Sequence, residues 1–170
     1  MSFILKAVKS DEKTRNPVYI PDSNHRQRIA TTAIDFSMDM VEEFMMPCYD
    51  RIAAFAAENR IPIVSVDSDG LVDELVPVMM RHGVNAFLPF EVQADNDICE
   101  YRRQFPGLGI IGGLDKNALS DTAPDEAMHR ELDRAERMLA EGGYIPGCDH
   151  LIPPNVSWKK WSAFNDALKN

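Results

Sequence analysis

No apolar run in the chain approaches the roughly 18 residues a helix needs to cross a bilayer, so no membrane partner is expected. The opening Met1-Ser-Phe-Ile-Leu-Lys6 is too short, and too soon charged, to read as a secretory signal. Cysteine is scarce. Cys48, Cys99 and Cys148 are odd in number, far apart and without a C-x-x-C pair, which argues against a disulfide framework and against a zinc ribbon. A reducing, cytoplasmic setting is the expectation. Positive charge is also short: 18 Lys and Arg face 27 Asp and Glu, a net charge of −9. Nucleic-acid phosphates would be repelled by such a surface, so no nucleic-acid partner is expected.

What is present suits one globular domain. The 170 residues are 45% hydrophobic and 26% charged, enough to bury a sizeable core. The first residues differ from the rest. They are locally basic, poor in periodic apolar positions, and interrupted by Asn16-Pro17 and Ile20-Pro21-Asp22-Ser23. Residues 1–33 therefore read as an irregular extension, with a basic anion-binding arm as the alternative, and residues 34–170 as the folded domain.

From Phe36 the pattern becomes periodic. Ser37 is placed to cap a helix whose apolar positions Val41, Phe44, Met45, Cys48, Ile52 and Phe55 form one stripe, with Pro47 expected to kink or interrupt it. Short apolar runs then alternate with helical patterns. Strands are expected near 62–67, 84–89, 108–112 and 143–146. Helices are expected from Leu71 to His82 (stopped by Gly83), from Asp97 to Phe105, after Pro124 (ended by Gly142), and after Ser157. Met128, Leu132, Ala135 and Leu139 are the expected apolar stripe of the third, and Trp161, Phe164 and Leu168 that of the last. Such alternation means right-handed βαβ units: an α/β fold with a parallel sheet of four βα units.

Each strand is followed by ionisable or metal-capable residues: Asp67-Ser68-Asp69-Gly70, Phe90-Glu91, Gly113-Leu114-Asp115-Lys116 and Gly147-Cys148-Asp149-His150. The carboxyl ends of parallel strands are where such folds build active sites. Each residue also has a plainer reading. Asp67 or Asp69 can cap the following helix, Asp115 can cap or pair with Lys116, His150 can be an ordinary loop histidine, and Cys148 a small buried hydrophobe. The candidate catalytic residues are Asp67, Asp69, Glu91, Asp115 and His150. The candidate metal set is Asp67, Asp69, Glu91 and Cys148.

The segments Ile-Val-Ser-Val-Asp-Ser-Asp-Gly, Phe-Leu-Pro-Phe-Glu, Ile-Ile-Gly-Gly-Leu-Asp-Lys and Gly-Gly-Tyr-Ile-Pro-Gly-Cys-Asp-His resemble the uroporphyrinogen decarboxylase superfamily, which includes corrinoid-dependent methyltransferases. The helix Met40-Val-Glu-Glu-Phe-Met-Met-Pro47 fits as well, and residues 1–33 do not match. The resemblance implies half of a TIM barrel, strands five to eight of a (βα)8 barrel, without the arginine-rich N-terminal segment that holds porphyrinogen carboxylates. In the methyltransferase branch it implies a zinc site. Cys148 matches its last ligand, while Asp67-Ser68-Asp69 replaces the His-x-Cys pair, giving a harder, less thiophilic donor set.

Three functions follow from this reading. The first is a metal-assisted, methyltransferase-like enzyme acting on a small substrate when oligomeric, with zinc or another divalent ion as the only cofactor. The second is a cofactor-free decarboxylase-type lyase. The third is a non-catalytic half barrel, a fragment or remnant that self-associates. All share one expected partner, a second copy of the chain: a homodimer would cover the apolar strands, pair the raw edges and restore an eight-stranded barrel, the rival being that residues 1–33, poor in apolar positions, fold back over the open face.

Overall fold

A computed structural model describes residues 37–169; the extension expected at 1–33 lies outside the described residues. The chain divides into two compact units, one ending at Phe87 and the other beginning at Leu88. Strands β1 (Ser65–Ser68), β2 (Ala86–Pro89), β3 (Gly109–Ile111) and β4 (Tyr144–Ile145) form one parallel sheet in the order β1-β2-β3-β4, with helices between them. That is the expected α/β architecture, with sequential strands as neighbours. No described helix is long and apolar enough to cross a membrane.

The first unit opens with α1, which is α-helical over Met38–Met40, π-helical over Val41–Met45 and α-helical again over Met46–Glu58. Ser37 caps it, its hydroxyl accepting from the Met40 amide at 3.3 Å. Pro47 has no N–H to offer the carbonyl four residues back, and the wider π turn just before it accommodates the loss. The helix is thus neither broken nor left regular, and its buried face moves. A π turn adds one residue, so after Val41 the buried positions become Met46, Tyr49 and Ala56, each one beyond the expected Met45, Cys48 and Phe55. Phe44 and Phe55 are instead 63% and 59% exposed. The expected single stripe is corrected accordingly.

Strand β1 also starts later than its apolar run suggests. Ile61 and Ile63 are exposed, and the residues before the strand are tied by side-chain bonds: Asn85 accepts from the Val64 amide at 2.9 Å and donates to the Pro62 carbonyl at 2.8 Å. Helix α2 (Leu75–Arg81) is shorter than the expected 71–82. It begins with Glu74 as N-cap and places Pro77 in its first turn, where a missing N–H costs no helical bond. That N-cap makes no side-chain hydrogen bond to the first turn. The end of the helix precedes Gly83, as expected, and Gly83 has φ 85°.

In the second unit β3 and β4 pair in parallel, with Ile110 opposite Tyr144 and Ile111 opposite Ile145. The ladder continues beyond the strands: the Leu114 amide donates to the Gly147 carbonyl at 3.1 Å and the Asp149 amide to the Leu114 carbonyl at 2.8 Å. Helix α3 (Ile98–Gln104) is capped by Asp97, which accepts from the Cys99 amide. Helices α4 (Asp125–Glu141) and α5 (Trp158–Ala167) follow, ended by Gly142 and capped by Ser157 respectively. Ile98, Leu108, Ile110, Leu114, Leu119 and Phe164 are buried to 1% exposure or less and form the core of this unit. On α4 the expected stripe is corrected at Leu139, which is exposed; Met138 is buried, and so is Glu131.

Buried charge also organises the amino-terminal side of these strands. Arg102 of α3 donates from Nη1 to the Pro106 and Leu108 carbonyls, both at 2.9 Å, and from Nη2 to the Gly143 carbonyl at 3.0 Å. One guanidinium thereby holds the starts of β3 and β4 together. Its Nε is the one buried side-chain polar atom without a partner among the described residues.

Candidate functional site

Asp67 is the third residue of β1 and Asp69 follows the strand directly, so both lie at its carboxyl end in the first unit. Asp69 is exposed and Asp67 half-buried. In the second unit, Glu91, Asp115, Cys148 and His150 all lie in loops after their strands, and the continued β3–β4 ladder brings Asp115 to the same end as Cys148 and His150.

The loop after β2 is set by a bulky residue in an uncommon conformation. Phe90 has φ 58°, sparsely populated for such a side chain. It is held by burial, with its ring 5.0 Å from that of Tyr101. Glu91 follows, and its carbonyl accepts from the Ala94 amide at 3.1 Å and from Asn96 Nδ2 at 2.9 Å, closing a short 3₁₀ turn over Val92–Ala94. The Glu91 carboxylate reaches the imidazole of His150: Oε1 and Nε2 are 4.0 Å apart, with the glutamate side chain mostly buried and the histidine more exposed. Of the expected catalytic residues in this unit, these two are brought together.

Asp115 fulfils its plainer reading. It is the N-cap of the 3₁₀ turn Lys116–Leu119, with Oδ1 accepting from the Asn117 amide at 2.8 Å. Gln93 Nε2 approaches the same oxygen at 3.5 Å. Lys116 does not pair with it. The lysine turns to Asp149, with Nζ 3.2 Å from Oδ2 and 3.4 Å from Oδ1.

Asp149, passed over in the sequence for the metal-capable types beside it, is the hub of this end of the unit. It has no exposed surface. Besides the lysine, Oδ2 accepts from the Val92 amide at 2.9 Å and Oδ1 from the Lys116 amide at 3.1 Å. One carboxylate thus joins the loops after β2, β3 and β4, and three donor groups offset the cost of its burial. Glu131, also unforeseen, adds a second tie from α4: Oε2 accepts from the Asp115 amide at 3.0 Å and from Arg134 at 3.4 Å. Burial raises the Glu131 carboxyl above the usual range, while the Asp115 amide and Arg134 oppose the rise. The signal for Glu131 was its helical spacing: it lies three residues after Met128 and four before Ala135.

Cys148 is half-buried, and its thiol is pushed up to about 12, first by burial and then by Asp149, Glu131 and Asp115. Burial thus disfavours the thiolate, the form that attacks electrophiles and binds soft metals. Among the described residues it joins no group of three ligand-capable side chains. The Ile-Ile-Gly-Gly motif makes this crowding possible. Gly112 has φ 90°, and a Cβ there would lie 2.8 Å from the Pro89 carbonyl oxygen and 3.1 Å from that of Cys148. Only glycine lets the ends of three strands come so close.

Comparison of the chain with protein-family models and with curated protein sequences gave no match. The functional reading therefore rests on this geometry.

Proposed function

We propose that the chain is a uroporphyrinogen-decarboxylase-like half barrel that pairs with a second copy of itself and performs acid–base chemistry on a small polar substrate. Glu91 and His150 are the reacting groups. The observation that carries this reading is their 4.0 Å approach from two different loops at the carboxyl end of the sheet. A carboxylate beside an imidazole is a recurrent acid–base pair, able to take up and return a proton at a bound substrate. A methyltransferase-like reaction through a zinc-bound thiolate receives less support, since burial disfavours the Cys148 thiolate and, among the described residues, Cys148 joins no group of three ligand-capable side chains. Where a divalent ion takes part, Glu91 and His150 offer oxygen and nitrogen donors, which suit a hard or borderline cation.

The non-catalytic alternative is favoured by a different observation: much of the ionisable inventory is engaged in holding loops. Asp149 is fully buried against backbone amides and Lys116, and Asp115 caps a turn. A porphyrinogen-decarboxylating role is the weakest of the three, because Lys116 is already committed to Asp149 and offers no counter-charge for substrate carboxylates.

The test is an NMR titration of isotope-labelled protein with a panel of small carboxylic acids and small thiols, run with elemental analysis of the purified protein. Amide shifts confined to 91–93, 115–117 and 148–150, and lost in Glu91→Gln and His150→Asn, support the catalytic reading. A silent rim across the panel, in protein that sediments as a dimer, supports the non-catalytic one. A monomer near 19.1 kDa overturns the self-association common to both.

A further inference from the structure

We propose that Asp149 is the positioning residue of the rim: its buried carboxylate sets the distance between Glu91 and His150 by pinning the loop after β2 to the loop after β4. The geometry is one of immediate neighbours. Val92, the residue after Glu91, donates its amide to Asp149, the residue before His150, at 2.9 Å. The Glu91 carbonyl accepts from its own turn, through Ala94 and Asn96. Those two bonds fold the loop on itself. The Val92–Asp149 bond ties it to the loop after β4, directly beside the Glu91–His150 pair.

Lys116 completes the device. Its Nζ lies within 3.4 Å of both Asp149 oxygens, and its amide donates to one of them, so the loop after β3 fixes the carboxylate in place. Buried ion pairs seldom add stability over apolar residues of the same shape, because desolvation offsets the attraction. What this pair adds is direction. A carboxylate holding amides from two other loops gives the three segments one relative arrangement, and no apolar side chain can specify that. The functional importance of the role rests on reading Glu91 and His150 as the reacting groups. The positional claim does not, because it is measured without turnover.

The experiment uses the full chain and two variants. In Asp149→Leu/Lys116→Met both partners become apolar, which leaves neither charge buried alone. Expected are loss of the nuclear Overhauser contact between the Glu91 side chain and the His150 ring, and faster hydrogen exchange at the Val92 amide by about tenfold or more. The Ile110 and Gly112 amides, bonded to β4 carbonyls, keep their protection. Persistence of the contact with Val92 still protected overturns the proposal. If the double variant loses protection at Ile110 as well, Asp149→Asn decides. It keeps the size and one acceptor oxygen, and the expected result is a weakened contact with protection lost at Val92 or Lys116. An unchanged contact with both amides protected overturns the role there too.

Discussion

The two units differ in the charge they bury. In the first, the ion pairs Arg81–Glu42 and His82–Asp50 lie at the surface, with half or more of the Arg81, Glu42 and Asp50 side chains exposed. Its fully buried side chains are apolar, and five large apolar residues, Phe44, Phe55, Ile61, Ile63 and Leu71, remain exposed. Every buried polar or charged residue among those described belongs to the second unit: Asn96, Arg102, Ser120, Glu131 and Asp149. There the charges serve the backbone, satisfying amides and carbonyls in loops that no strand or helix would pair. Apolar patterning is enough to form a strand or a helix. Fixing three loops against one another takes groups with direction.

The sharpest way to break that contrast is Asp149→Ala. It strands Lys116 Nζ, the Lys116 amide and the Val92 amide at a site with no exposed surface. Removing one partner of a buried charge pair costs about 3–5 kcal/mol, to be read from urea unfolding. A loss below about 1 kcal/mol would place the second unit's charges in the same class as the first unit's surface pairs. Next in size is Gly112→Ala. Its methyl group would meet the Pro89 carbonyl oxygen at 2.8 Å on a backbone with φ 90°. Crowding of this kind costs about 1–3 kcal/mol. The same substitution at Gly70, where φ is 78° but nothing lies within 4 Å, isolates the conformational part.

The architecture was legible in the sequence because it rests on period and punctuation. Ser37 and Ser157 cap helices, Gly83 and Gly142 end them, and the four apolar runs are neighbouring parallel strands. What misled was local backbone irregularity. The π turn before Pro47 shifts the buried face of α1 by one residue, which no 3.6-residue pattern reveals. The site was legible in part. Residue type alone marks Glu91 and His150 as candidates, and the structure brings them together. The same reasoning ranked Cys148 above Asp149, because thiols and imidazoles signal chemistry and a lone aspartate signals a cap. Burial reverses that order: it disfavours the thiolate and makes the aspartate the hub.

A smaller effect sharpens the comparison through pH. Burial raises the Glu131 carboxyl above its ordinary value of 4.5. Between its unfolded and folded pKa values such a group binds more protons in the folded state, so stability falls as pH rises through that window. Glu131→Gln keeps an acceptor for the Asp115 amide and removes the titrating site. Its stability relative to the native protein should therefore improve as pH is raised from 4.5 into the window, followed by thermal melts at fixed ionic strength. A relative stability that declines over that range would mean the amide and Arg134 outweigh burial.

The smallest expected effect belongs to the first unit. Arg81 Nη2 lies 2.5 Å from Glu42 Oε1, a shorter contact than any Lys116 makes with Asp149. Distance alone would rank it the stronger pair. Both side chains are half exposed, however, so water screens the attraction and ordering two long side chains opposes it. Arg81→Ala should change stability by about 0.5 kcal/mol or less, and the native pair should weaken further at high salt. The Arg81→Ala/Glu42→Ala cycle measures the coupling directly, free of what each side chain does alone. Asp149→Leu/Lys116→Met, set beside the corresponding single variants, gives the buried counterpart. A coupling at Arg81–Glu42 equal to that at Lys116–Asp149 would mean that burial does not separate the two units, despite its separating their charges in space.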